Sequence, residues 1–163
     1  MRTMKTKRGR EPPGAPAELD ADHAVAALYQ LHYPALVRLT ALLVPDLATA
    51  EEIVQDAFAA VHSRWHMLSG TDAALAYLRR SVVRRSRSAP PQAAAGTGEP
   101  GSAVVSALRA LPARQREVMV LWYFADLPEA EIASATGMST AAVRSHAARA
   151  KSSLQAGLGP VSA

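Results

Sequence analysis

An all-α fold in two small helical domains, joined by a short flexible linker, is what this sequence predicts. Three observations carry that expectation. Alanine supplies much of the 49% hydrophobic content while aromatics reach only 5%, and alanine has the best intrinsic helix propensity. Apolar residues recur at spacings of three and four, and no Val/Ile/Thr run alternates at period two. The stretch SAPPQAAAGTGEPGS, with one acidic residue among Pro, Gly and Ala, cannot bury a face and divides the chain. A length of 163 residues suits one ordinary domain or two small ones.

The elements follow in order. Residues 1–20 carry Arg2, Lys5, Lys7, Arg8 and Arg10, then Pro12, Pro13, Gly14 and Pro16, and read as a disordered tail. The first domain spans 21–88. Its first helix starts near Ala21, with Leu28, Leu31, Ala35, Leu39 and Leu42 at helical spacing, and Pro34 predicts a kink or a short leading helix. Pro45 and Asp46 close that segment. A second helix, AEEIVQDAFAAVHSRW, puts Val54, Ala57, Phe58, Val61 and Trp65 on one stripe, and Trp65 is assigned to the core. After the turn MLSGTD, Thr71 or Asp72 is the expected cap of a third helix over roughly 73–88, with Leu75, Leu78 and Val82 inward and its arginines outward. The linker is 89–102. A second domain, 103–158, reads as VVSALRAL, then ARQREVMVLWYF after Pro112, then PEAEIASAT, then a last helix, before a tail at 159–163. No internal repeat is visible.

Composition excludes several classes. With no cysteine, disulfides and Cys-based zinc sites are ruled out and a reducing cytosol fits. No apolar run approaches 18 residues and no hydrophobic signal core is present, so a cytoplasmic protein without membrane association is expected. His62 and His66 stand four apart, but no Glu makes an HExxH pattern and no third ligand is evident, so no metal is expected. No Gly-rich phosphate loop or nucleophile elbow appears, so neither a cofactor nor enzymatic activity is expected. The net charge of +4 is unevenly spread: Arg79, Arg80, Arg84, Arg85 and Arg87 crowd one segment, and Glu51, Glu52 and Asp56 another. That segregation suggests one face for a polyanion and another for a basic partner, solvated helix faces being the plainer alternative.

The stretch GMSTAAVRSHAARAK holds the most specific pattern. Glu131-Ile132-Ala133, Gly137, Ser139 and Val143 have the spacing of a helix-turn-helix. Gly137 supplies the left-handed turn residue that a side chain would penalise. Ser139 caps the second helix, Val143, Ala147, Ala150 and Leu154 form its buried stripe, and Arg144, Ser145, Ala148 and Arg149 stay outside. Arginine there pairs with guanine or binds phosphate. A helical hairpin that binds no DNA would share the same stripe.

ALRALPARQREVMVLWYFADLPEAEIASATGMSTAAVRSHAARAKSSL resembles the sigma-four domain of bacterial extracytoplasmic-function sigma factors, in particular the actinobacterial SigE-type group. HYPALVRLTALLVPDLATAEEIVQDAFAAVHSRW followed by AYLRRSVV is similar to their sigma-two domain. The resemblance implies a transcription initiation factor that binds core RNA polymerase, through its beta and beta-prime subunits, and directs it to promoters. It implies that Glu52, Gln55 and Asp56 contact the polymerase clamp, the alternative being a solvated acidic face. It implies that Ser69, Gly70, Thr71 and Asp72 form a base-reading loop at the −10 element. Tyr77, Arg80, Arg84 and Arg87 would stack and clamp the opened strand there, with a half-buried core tyrosine as the plainer reading of Tyr77. Ser139, Thr140, Arg144, Ser145, Ala148, Arg149 and Lys151 would read or clamp the −35 element as duplex. Promoter DNA and, in some relatives, an anti-sigma factor are the other implied partners.

The chain departs from the family at three points. Arg84 stands where asparagine is common, and Ala141-Ala142 replace the usual Gly-Thr. The Arg-rich segment after the third helix and a longer tether are replaced by residues 89–102, whose extended reach is about 46–50 Å. A duplex-only regulator with a dimerising or sensing first domain is the rival reading. A decoy that binds polymerase or an anti-sigma factor without opening DNA is a third.

Overall fold

The computed structural model describes residues 15–89 and 103–159, with side chains in the first stretch from Asp20 onward. The elements are α1 (Ala15–Ala41), α2 (Leu47–Ser63), a 3-10 turn (Trp65–Met67), α3 (Thr71–Arg87), α4 (Ala103–Ala110), α5 (Ala113–Tyr123), α6 (Glu129–Thr136) and α7 (Thr140–Leu158). No strand occurs among the described residues. The basic segment 1–14, residues 90–102 of the linker and the last residues 160–163 lie outside them.

Helix α1 starts at Ala15, ahead of the expected Ala21, and continues through Pro34, so no separate leading helix forms. Its expected inward stripe is half right. Leu28 and Leu39 are buried, but Leu31 is 73% exposed and Ala35 also faces solvent, while Leu36 and Val37 are buried instead. An Ala/Leu-rich helix offers more than one apolar stripe, and the partners decide which is used: α1 is covered by both α2 and α3. Thr40, buried in the same surface, satisfies its hydroxyl by donating to the Leu36 carbonyl at 2.7 Å.

Asp46 does more than end the preceding segment. Its carboxylate accepts from the Thr49 backbone N–H at 2.8 Å and from the Thr49 hydroxyl at 2.9 Å, capping α2. Ala50, Ile53, Val54, Ala57, Phe58 and Val61 form the buried stripe as expected. Trp65 falls beyond α2 in the 3-10 turn, half-buried against the core rather than within it. The expected cap of α3 is corrected as well. The helix begins at Thr71 and its N-cap is Gly70, with no side-chain hydrogen bond. Gly70 has φ +106° and ψ −171°, a conformation essentially restricted to glycine, so the turn geometry excludes a capping side chain from this position.

The two expected helical domains are present, but they are not merely tethered. Ala74, Leu78, Val82 and Val83 of α3 belong to one apolar core with Val118, Val120, Leu121, Leu127, Ile132, Ala135, Val143 and Ala147 of the second unit. Helix α3 packs directly on α6. Leu75 is only half-buried because it lines a cleft between those helices. A smaller cluster, Leu108, Leu111, Met119 and Ala150 with Leu154, fastens α4 to α5 and α7. Arg116 closes the end of α4 by donating to the carbonyls of Leu108, Arg109 and Leu111, and its burial lowers its guanidinium pKa.

Candidate nucleic-acid interface

The helix-turn-helix forms as the spacing predicts. Gly137 ends α6 in the left-handed region at φ 72° and ψ 18°, and its N–H returns to the Ala133 carbonyl. The Ser139 hydroxyl accepts from the Ala142 N–H at 3.1 Å and opens α7. Val143, Ala147 and Ala150 are buried with Leu154 half-buried behind them, and Ile132 holds α6 on the other side. Burying one stripe exposes the other: Ser139, Thr140, Arg144, Ser145, Ala148, Arg149 and Lys151 all reach solvent.

The cations on that ridge differ in their freedom. Arg149 has no hydrogen bond or ion pair with any described residue. Arg144 Nε lies 2.6 Å from Glu129 Oε1, an ion pair without hydrogen-bond alignment, on a side chain that is 70% exposed. Lys151 Nζ sits 4.7 Å above the Trp122 ring, a cation–π contact that steadies its stem against the bundle. None of the three is buried against the first domain.

A second cationic face lies on α3. Tyr77, Arg80, Arg84 and Arg87 recur at spacings of three and four, so they share one stripe. Arg80 and Arg84 are exposed and unpaired among the described residues. Tyr77 is half-buried, with the Arg64 guanidinium 5.7 Å from its ring centroid, so one ring face is already occupied. Ser69 in the preceding turn and Thr71 and Asp72 in the first turn of α3 are exposed around Gly70, and Asp72 lines the cleft against α6.

Arg87 is placed differently from its neighbours. Nε and Nη2 donate to the two oxygens of Glu117 at 2.7 and 2.8 Å, and Nη2 also donates to the Thr136 carbonyl at 2.7 Å. The Glu117 hydrogen bonds raise the Arg87 pKa, so its charge is secure. Glu117 has a side chain only 5% exposed, and Arg114 supports it from within the second domain at 3.3 Å. Arg79 makes a weaker bridge to Glu131 at 3.6 Å across the same junction. Sequence reasoning missed Glu117 and Arg114. The available signal was one carboxylate set directly before the apolar run Val118–Leu121.

The acidic face of α2 is exposed at Glu52, Gln55 and Asp56. Asp56 is paired with Arg85 at 3.2 Å, and Gln55 Nε2 donates to the Tyr33 hydroxyl at 3.5 Å. Tyr33 in turn stacks on Tyr29 at 4.3 Å between centroids, and both rings meet Phe58. Glu52 is unpaired among the described residues. These residues therefore form a polar strip beside an aromatic one. No group of three or more His, Cys, Asp or Glu able to hold a metal occurs among the described residues. No described helix is long and apolar enough to cross a membrane.

Comparison with known proteins finds two family matches along the chain. Residues 28–89 match the family described as "Sigma-70 region 2", and residues 102–154 match "Sigma-70, region 4". The chain is 30% identical over 138 residues to the RNA polymerase sigma-E factor of Streptomyces coelicolor, covering 74% of this chain and 78% of that protein. The Streptomyces antibioticus sigma-E factor matches at 30%, with coverage of 74% and 77%. Among solved structures, CnrH in complex with the cytosolic domain of CnrY superposes with a TM-score of 0.70 at 25% identity, over 90% of this chain and 99% of that one. The sigma factor RpoE of Bartonella quintana, solved with the anti-sigma factor NepR, gives 0.67 at 20% identity over 84% and 98%, a likeness of fold.

Proposed function

The chain belongs to the RNA polymerase sigma factors, in their extracytoplasmic-function, sigma-E-like group, and on that premise we propose how its residues divide the work of directing polymerase to promoters. Helix α7 enters the major groove at the −35 element. Its N-terminal half faces base edges, and Arg144 and Arg149 pair with guanine or phosphate. Ser139, Thr140, Ser145, Ala148 and Lys151 complete that contact. Helix α3 and the turn 69–72 hold the −10 element after its strands part. Tyr77 supplies a stacking surface, and Arg80, Arg84 and Arg87 offset backbone charge against an unpairing cost of a few kcal/mol. Glu52, Gln55 and Asp56 dock on a basic surface of core polymerase. The factor works in the cytoplasm, beside the polymerase that supplies the chemistry, and an anti-sigma factor is a fitting regulator.

The observation that carries this reading is the pairing of two exposed cationic faces on separate helices of one chain, α7 and α3. A duplex-only regulator has no use for the second. Run-off transcription with purified core polymerase tests it, alongside gel filtration. The chain is expected to co-elute with core and to yield a promoter-dependent transcript. Elution alone as a dimer, with duplex binding but no transcript, overturns it. Replacing Arg80 and Arg84 by alanine should leave upstream duplex binding intact and reduce permanganate reactivity of unpaired thymines near −10. Undiminished reactivity would remove both from the opening site.

A further inference from the structure

We propose that Glu129 is a specificity-determining residue, whose carboxylate holds Arg144 in a base-reading pose and turns it away from the DNA backbone. The inference deepens the assignment of Arg144 to the −35 contact and rests on it. Glu129 opens α6 and Arg144 lies in the first half of α7, so the helix-turn-helix itself brings the two side chains together. Arg144 Nε lies 2.6 Å from Glu129 Oε1, with the arginine 70% exposed and the glutamate 29%. A pair so open to solvent adds little to folding. Its effect is on which donors remain. The guanidinium is a rigid planar fork. Its Nε edge faces the carboxylate, and it makes no hydrogen bond with any described residue. The two terminal nitrogens are left for a ligand, as an end-on pair of donors. Guanine offers N7 and O6 side by side in the major groove, which suits that pair, whereas adenine sets a donor beside its acceptor. Glu129 thus narrows a group with several donors to one recognition edge.

The carboxylate also decides against phosphate. Glu129 Oε1 is buried and accepts no hydrogen bond, so Arg144 is the charge that offsets it among the described residues. An Arg144 that swung out to a backbone phosphate would leave that oxygen buried without a cation, which is costly. A phosphate brought up to the intact pair meets a nearly neutral group and gains little from counterion release. Base contact keeps both partners satisfied, because the end-on donors reach guanine while Nε stays at Glu129. Holding the arginine stem in advance also lowers the side-chain entropy lost on docking. Arg149 on the same ridge has no such partner among the described residues. The helix therefore carries one oriented arginine and one free one.

Holoenzyme made with the full chain tests this on a set of upstream duplexes, in which each position of the element carries all four base pairs in turn. Arg144→Ala identifies the position that Arg144 reads, as the one where a guanine preference is lost. There, Glu129→Gln should lower the guanine preference about tenfold, while binding to the other duplexes holds or strengthens. The slope of log affinity against log salt should steepen by about one, as the released guanidinium takes a phosphate. Glu129→Ala should act alike, and neither substitution should alter base preference further in an Arg144→Ala background. A carboxylate that merely favours the start of α6 predicts a uniform loss across all duplexes, with the slope unchanged. That result overturns the proposal, as does a guanine preference that survives both Glu129 substitutions. The reading of the site fails separately, and takes the proposal with it, if Arg144→Ala leaves base preference intact at every position.

Discussion

Arg149 is the cation on the α7 ridge with no partner among the described residues, and it therefore makes the sharpest test of duplex reading. Arg149→Ala should weaken holoenzyme binding to the upstream duplex by about 1–3 kcal/mol if the guanidinium makes a bidentate base contact. Affinity titrations on a fixed promoter measure this, and an unchanged value takes Arg149 out of the interface. Gly137 tests the scaffold instead. A methyl group there meets no atom within 4 Å, so Gly137→Ala carries only the cost of φ +72°, about 1–2 kcal/mol. Denaturant unfolding should report that loss, and a neutral substitution would mean the turn relaxes. Gly137 and Ser139 were legible in the sequence because their roles are local, settled within a few residues of backbone. Arg87 was not. Its partner lies 30 residues away in another domain, and nothing in an outward arginine pattern distinguishes a solvated charge from an interdomain one.

Among the elements, α1 shows where periodicity stops being sufficient. Leu28 and Leu31 looked equivalent on the helical pattern, yet Leu28 is 2% and Leu31 73% exposed. Leu28→Ala should cost about 2–5 kcal/mol, and Leu31→Ala should stay within about 0.5 kcal/mol. Similar costs for the two would mean that α1 is rotated. Helix α2 offers a pH test. The Thr49 backbone and side-chain hydrogen bonds hold the Asp46 pKa below its ordinary value in the folded chain. A depressed folded pKa contributes stability that is present above the unfolded pKa and lost as pH falls through the folded one. Thermal unfolding from neutral pH down through the carboxylate range should therefore show a decline that Asp46→Asn flattens, because the amide oxygen still caps α2 but does not titrate. An identical decline in Asp46→Asn would assign the acid sensitivity elsewhere. The boundaries of α5, α6 and α7 were largely legible from Pro112, Pro128 and Ser139. The start of α3 was missed because the demand for a positive φ fell on Gly70, ahead of two good capping residues.

At the level of the whole molecule, two helical domains and their order could be read from composition and motifs, whereas their packing could not. That packing depends on α3 and α6 presenting complementary side chains from distant parts of the chain. It also sharpens what the short linker must do. On the proposed division of work, if the domains part to reach both promoter elements, residues 89–102 set how far they separate. Their extended reach is about 46–50 Å. Promoter elements one to two helical turns apart lie roughly 35–70 Å from each other along the axis. The tether is thus adequate for the short end of that range and too short for the long end. Transcription across a promoter series of increasing spacer length should fall steeply as the separation passes the tether's reach. Inserting about ten Gly/Ser residues after Gly101 adds about 33–36 Å of reach, close to one turn of duplex, and should extend activity to longer spacers. The same insertion should leave the Arg87–Glu117 pair formed in the free factor, because lengthening a loop costs little. If wild type and the extended variant tolerate the same spacers, polymerase rather than the linker sets the distance, and the tether imposes no spacing rule of its own.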